Sequence, residues 1–152
     1  MAGWTNRGKY LVLSYALRAA TRPTNFYVAL LAATTAPTAD TNTMSDVSEI
    51  PAGNGYTSGG YQLTPGATDF DVLTEDDAND RGLIQVKDVV WTASGGPIPA
   101  SGLGARYAVL TDDNATVANR QIFYYWDLSD NRIVSATQTL TLQNLEVRIN
   151  ES

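Results

Sequence analysis

The hydrophobic pattern divides this chain into one helical stretch followed by short strands and polar loops. KYLVLSYALRAA, residues 9–20, contains good helix formers and few breakers, with Tyr10, Leu13 and Leu17 at i, i+3 and i+7 and Ala16 alongside. Asn6 is the expected N-cap. Thr21-Arg22-Pro23 is the expected end, because the residue before proline avoids the α region. Arg18 and Arg22 near that end suit the helix dipole.

NFYVALLA, residues 25–32, is apolar on both faces and bounded by Pro23 and TTAPTAD, which predicts a buried central strand. PAGNGYTSGG is a loop dense in glycine, asparagine and serine, and YQLTP is a short strand. LIQVKDVVW, residues 83–91, is expected as one strand, with Ile84, Val86 and Val90 on a shared face that Asp88 interrupts. TASGGPIPASGLG is a second long loop, and RYAVLT and RQIFYYWDL are strands flanking DDNATVAN. In QTLTLQNLEVRIN the apolar parity flips at Gln143-Asn144, so one extra residue in a β-bulge would return Leu140, Leu142, Leu145, Val147 and Ile149 to one face.

All six prolines fall outside the predicted strand cores, and no glycine or proline follows Gly104. Turns in the last third are therefore expected at Asp112-Asp113-Asn114 and Ser129-Asp130-Asn131, whose side chains support turn geometry. Several short strands with turn signals between them predict a mainly β protein. The expected fold is a single antiparallel β-sandwich or jelly-roll-like domain over residues 25–152. One N-terminal α-helix, within a basic arm of residues 1–24, packs on that same domain. A chain of 152 residues is long enough to bury its own core.

Composition narrows the chemistry. The chain has no cysteine and no histidine, which removes disulfides, cysteine-based metal sites, the usual general base and zinc sites of ordinary composition. Its net charge of −6 is unevenly spread. Residues 1–39 hold Arg7, Lys9, Arg18 and Arg22 and no acid, whereas the rest holds six basic and sixteen acidic residues. An acidic body repels phosphate backbones, so nucleic acid is not an expected partner. No apolar run approaches the roughly 20 residues of a membrane span, and Tyr, Ser and Arg interrupt the segment a signal peptide would need. The expectation is a soluble protein that does not partner a membrane.

The candidate chemistry centres on LTEDDANDRG, residues 73–82, where Glu75, Asp76, Asp77 and Asp80 are crowded together. As an EF-hand it fails in both registers: counting from Asp76 puts Lys87 at position 12, and counting from Asp77 puts Arg81 at position 5. Exposed adjacent acids without apolar surroundings keep low pKa values and make poor general acids for glycoside hydrolysis. A non-EF calcium loop stays open behind the plainer reading of a polar surface loop leading into the LIQVKDVVW strand. GNGYTSGG lacks the Walker lysine and does not fit G-x-G-x-x-G. No catalytic, cofactor-binding or metal-ligating residue is assigned, and no enzymatic activity is expected. Trp4, Tyr10 and Tyr15, on or near the basic arm, are expected to pack against the sheet or against another subunit. The candidate interface residues are Trp4, Arg7, Lys9, Arg18 and Arg22 on the arm, and Glu75, Asp76, Asp77 and Asp80 on the acidic stretch. The latter are expected to face Arg or Lys of a neighbouring copy.

Several stretches carry a family likeness: PTNFYVALL (23–31), AGNGYTSGGYQLTP (52–65), DVVWTASGGPIP (88–99), GARYAVLTDD (104–113), YYWDL (124–128) and QTLTLQNLEVRIN (138–150). In texture and order the chain resembles small virion structural proteins of tailed bacteriophages, in particular capsid decoration, or cement, proteins. The resemblance implies a compact β-domain made in the host cytoplasm and bound to the capsid surface of the virion, where it braces capsomer junctions. It implies the major capsid protein and the protein itself as partners, the latter as a homo-oligomer, a trimer by the family pattern. It carries no catalytic residue and no cofactor. A neck or tail component, or a carbohydrate-binding module of a tail or fibre, is the alternative.

Overall fold

The computed structural model describes residues 1–150. Its elements in chain order are β1 (Gly3–Trp4), α1 (Asn6–Leu17), β2 (Phe26–Ala32), β3 (Tyr61–Leu63), β4 (Val72–Asp76), β5 (Arg81–Val86), β6 (Val89–Thr92), β7 (Ala105–Thr111), β8 (Ile122–Arg132), β9 (Thr139–Leu142) and β10 (Leu145–Asn150). The fold is mainly β with one helix near the N-terminus, and its strands pair antiparallel. One layer is a five-stranded sheet in the order β1-β8-β7-β2-β3. The other layer comprises β10-β5-β4 and β6-β9.

β2 lies inside the larger sheet as predicted, with Val28 to Leu31 wholly buried. Both of its faces are covered. Val28 and Leu30 join the main core between the layers, while Ala29 and Leu31 join a smaller cluster with Met44, Val109 and Ile122 on the far side. This explains the unbroken apolar run: a strand sandwiched on both faces has no polar side to show.

The smaller layer differs from the two long strands the pattern predicts. LIQVKDVVW is two strands, β5 and β6, parted at Lys87-Asp88, and QTLTLQNLEVRIN is also two, β9 and β10, parted at Gln143-Asn144. Val86 pairs with Leu145 and Val89 with Leu142, so the register runs unchanged across the break. The four strands are one two-stranded ribbon bent at a single level. Gln143 donates to Asp88 at 3.0 Å across the bend, and Asn144 takes the left-handed region at φ 54°. In a straight ribbon, residues three apart point to opposite faces. The bend instead turns Val86 and Val89, and likewise Leu142 and Leu145, all into the core. The expected β-bulge is therefore a bend in both strands. It buries four of the five predicted side chains and leaves Ile149 exposed, and Val90, placed with Ile84 and Val86 by alternation, points outward.

β8 is longer than predicted. Ala105 pairs with Arg132 and Tyr107 with Asp127, so Leu128 to Asn131 bow out opposite Arg106. The expected turn at Ser129-Asp130-Asn131 is this excursion, with Ser129 at φ 68°. A second irregularity, where Leu110 pairs with Tyr124 and Thr111 with Ile122, makes Phe123 an inserted residue.

α1 sits on that bulge. Thr5, not Asn6, is the N-cap: its hydroxyl accepts from Gly8 N at 2.8 Å and donates to the Ile122 carbonyl, while its own N–H donates to Phe123 O at 3.0 Å. Gly8 lies so close to the Phe123 backbone that any β-carbon there would overlap it. These contacts fix the helix rotation. Gly8, Leu11, Val12 and Tyr15 face the body, and Tyr10, Leu13 and Leu17, the stripe read from spacing, face outward. The helix also stops earlier than the Thr21-Arg22-Pro23 signal, ending at Leu17 with Arg18 as C-cap and Ala19 left-handed at φ 53°.

Candidate interaction surface

The acidic stretch is a hairpin rather than a loop. Leu73 to Asp76 belong to β4, which pairs with β5 from Val72↔Gln85 to Asp76↔Arg81. The expectation of a surface loop leading into the next strand holds for Asp77 to Asp80, which turn into β5, and fails for Leu73 to Asp76, which complete a ladder whose other strand is already held by β10. Among the described residues β4 is a free edge of its sheet, opposite β10.

The four acids divide by role. Asp76 closes the hairpin: Arg81 Nε donates to it at 2.7 Å, and Asn79 Nδ2 donates to both carboxylate oxygens. These bonds, the Asn79 amide first, hold its carboxyl below the ordinary value of 3.8. Glu75, Asp77 and Asp80 are exposed, and their carboxylates make no hydrogen bond or ion pair among the described residues. Among those residues no group of three or more acids gathers as a metal site would need.

The basic arm is equally uncompensated. Arg81, Lys87, Arg106, Arg132 and Arg148 each meet a carboxylate. Arg7, Lys9, Arg18 and Arg22 meet none among the described residues. Arg7 reaches only the Gln121 amide oxygen and the Tyr10 ring, 5.2 Å away. On α1, at 3.6 residues per turn, Arg7 and Lys9 flank the outward stripe on either side, and Arg18 lies at its end. The stripe is apolar: Tyr10 is 59% exposed, Leu13 56% and Leu17 75%. Trp4 is spent within the chain. Its indole N–H donates to Arg148 O at 2.6 Å, its ring meets Tyr124 edge-on, and Trp126 makes the equivalent bond to Glu146 O at 2.8 Å. The two indoles thus occupy alternate carbonyls along the open side of β10 and tie the layers together.

Between α1 and the β4-β5-β10 sheet runs an apolar groove of about 510 Å³, floored by Phe26, Phe123 and Val147 and bordered by Arg22 and Leu73. It adjoins a smaller hollow of about 300 Å³ lined by Leu13 and Ile149 among others. Leu73 is 80% exposed and Ile149 60%. Spacing alone pointed to neither. The signal for Leu73 is its cross-strand row with Ile84 and Val147, which needs the pairing to be known.

The buried polar groups are structural. The Glu49 carboxylate accepts from Tyr56 OH at 2.8 Å, Ser58 OH at 2.9 Å and Gly59 N at 2.6 Å. Tyr56 OH in turn accepts from Leu30 N at 2.9 Å, and burial pushes its pKa well above the usual tyrosine range. Arg120 is buried over the Tyr27 ring at 3.8 Å and donates to the carbonyls of Asn114 and Gly59, each at 3.0 Å. These groups pin the 49–60 loop over the end of β2.

Fold and surface together describe a β-sandwich in which the helix and the neighbouring sheet edges carry Tyr10, Leu13, Leu17, Leu73 and Ile149 exposed, beside charges without partners among the described residues; Val90, Leu103 and Ile133 are exposed elsewhere. Searches of protein-family models, of curated proteins and of solved structures find no match to this chain. No helix among the described residues is long and apolar enough to cross a membrane.

Proposed function

We propose that this chain is a non-catalytic structural protein of a tailed-phage virion, a decoration protein that binds the capsid exterior as a homo-oligomer and braces capsomer junctions. The observation that carries this reading is the outward face of α1, where Tyr10, Leu13 and Leu17 stand exposed among basic residues with no carboxylate partner among the described residues. A monomer gains nothing from displaying that face, whereas a repeated assembly uses the same contact many times. The sequence resemblance supplies the particular class of assembly. The carbohydrate-binding alternative draws less support, since Trp91 and Trp126 are buried and Trp4 is bonded to Arg148, leaving no indole displayed to stack on a sugar.

The test uses heads of the phage whose genome encodes the chain. The purified protein is expected to co-sediment with heads that lack it and to raise the temperature at which they rupture. Heads that neither retain the protein nor gain heat resistance would sink the proposal.

A further inference from the structure

We infer that the outward face of α1 in one copy docks on the β4 edge of a second copy of this chain, apolar stripe against apolar edge and basic arm against acidic hairpin. The inference deepens the homo-oligomer part of the proposed function and rests on it only for the biological setting.

Three observations converge on a second copy as the occupant. The first is charge. The helix side carries Arg7, Lys9, Arg18 and Arg22 without carboxylate partners among the described residues, and the hairpin side carries Glu75, Asp77 and Asp80 without cationic ones. Each half supplies the sign the other lacks, and both occur on every copy. Opposed patches of this kind set register and reject wrong partners.

The second is the matching apolar content. Tyr10, Leu13 and Leu17 form the helix stripe, and Leu73, on the sheet face it shares with Ile84 and Val147, forms the counterpart. Exposed apolar residues rimmed by charge mark contact surfaces.

The third is the state of β4 itself. Val72 to Glu75 are exposed, and the strand's outer edge is unpaired among the described residues. A strand held by one neighbour is a place where a second chain gains most by docking. The acids on it select a basic partner surface and disfavour edge-to-edge pairing with another β4.

The absence of cysteine makes the test direct. Leu13→Cys and Leu73→Cys are placed in separate chains, at exposed positions that leave the core untouched, and circular dichroism verifies the fold of each. On mixing and mild oxidation, the covalent pair is expected to contain one chain of each kind, in several-fold excess over either like pair. A second variant, Lys9→Glu with Arg22→Glu, is expected to weaken self-association about tenfold in sedimentation, and high salt is expected to weaken the unaltered protein likewise. Like pairs of Leu13→Cys in excess would show helix on helix and overturn the inference. So would equal yields of all pairs, a monomeric mass at every concentration, or an oligomer indifferent to the charge reversal. Head binding is read separately. Correct cross-linking without head binding would remove the virion reading and leave this contact standing, and head binding with the wrong cross-link would do the reverse.

Discussion

At the scale of single residues, Thr5 shows how much one small side chain can hold. It caps α1, donates to a carbonyl freed by the β8 bulge, and is fully buried. Thr5→Val keeps the shape and removes both bonds. The expected cost is about 2–4 kcal/mol, the sum of a lost cap and an unsatisfied buried group. Thr5→Ser is expected to stay close to the parent protein, with urea unfolding as the measurement. A loss in Thr5→Ser with none in Thr5→Val would show that the methyl, not the hydroxyl, matters. The sequence suggested Asn6 instead, since asparagine caps at least as well as threonine in isolation. What decided between neighbours was the β8 bulge, over a hundred residues away, which only Thr5 reaches.

At the scale of elements, the bend shared by β5-β6 and β9-β10 is the main departure from the sequence pattern. The parity flip at Gln143-Asn144 was legible, and so was the interruption at Asp88. That the two sit opposite each other was not, because register between distant strands is a tertiary fact. Asn144 makes the bend in one strand by adopting φ 54°. Asn144→Gly is expected to be neutral within a few tenths of a kcal/mol. Asn144→Val is expected to cost about 1–2 kcal/mol, the steric penalty of the left-handed region for a β-branched residue. Denaturant midpoints check the stability. Amide exchange at Val86 and Leu145 reports whether the loss is felt at the bend, and an unchanged Asn144→Val protein would disprove that role.

At the scale of the whole molecule, the carboxylates tie stability to pH. Asp69 is held below the ordinary 3.8 chiefly by the Lys87 ammonium, 2.6 Å away, and Asp127 chiefly by the Ser129 N–H. A depressed folded pKa contributes stability above the unfolded value, and that contribution is lost as pH falls through the folded one. Lys87 is raised above 10.5 by the same partner, so its contribution holds below that value and is lost as pH rises through the raised one. With no histidine, no side chain titrates at its ordinary pKa between about pH 5 and 8. The thermal midpoint is therefore expected to be flat across that range and to fall below about pH 4. Asp69→Asn is expected to make the acid fall shallower; an acid limb unchanged in that variant would assign the loss to other groups. By itself the sequence determined the mainly β class, the N-terminal helix, the buried β2 and the segregation of charge, since each rests on local composition or periodicity. The tertiary structure decided the rotation of α1, the bend of the ribbon and the promotion of the acidic stretch to an edge strand. Helix rotation depends on where a close contact is tolerated, at Gly8 over Phe123, and a stripe of Tyr10, Leu13 and Leu17 reads the same whether it faces a core or a partner.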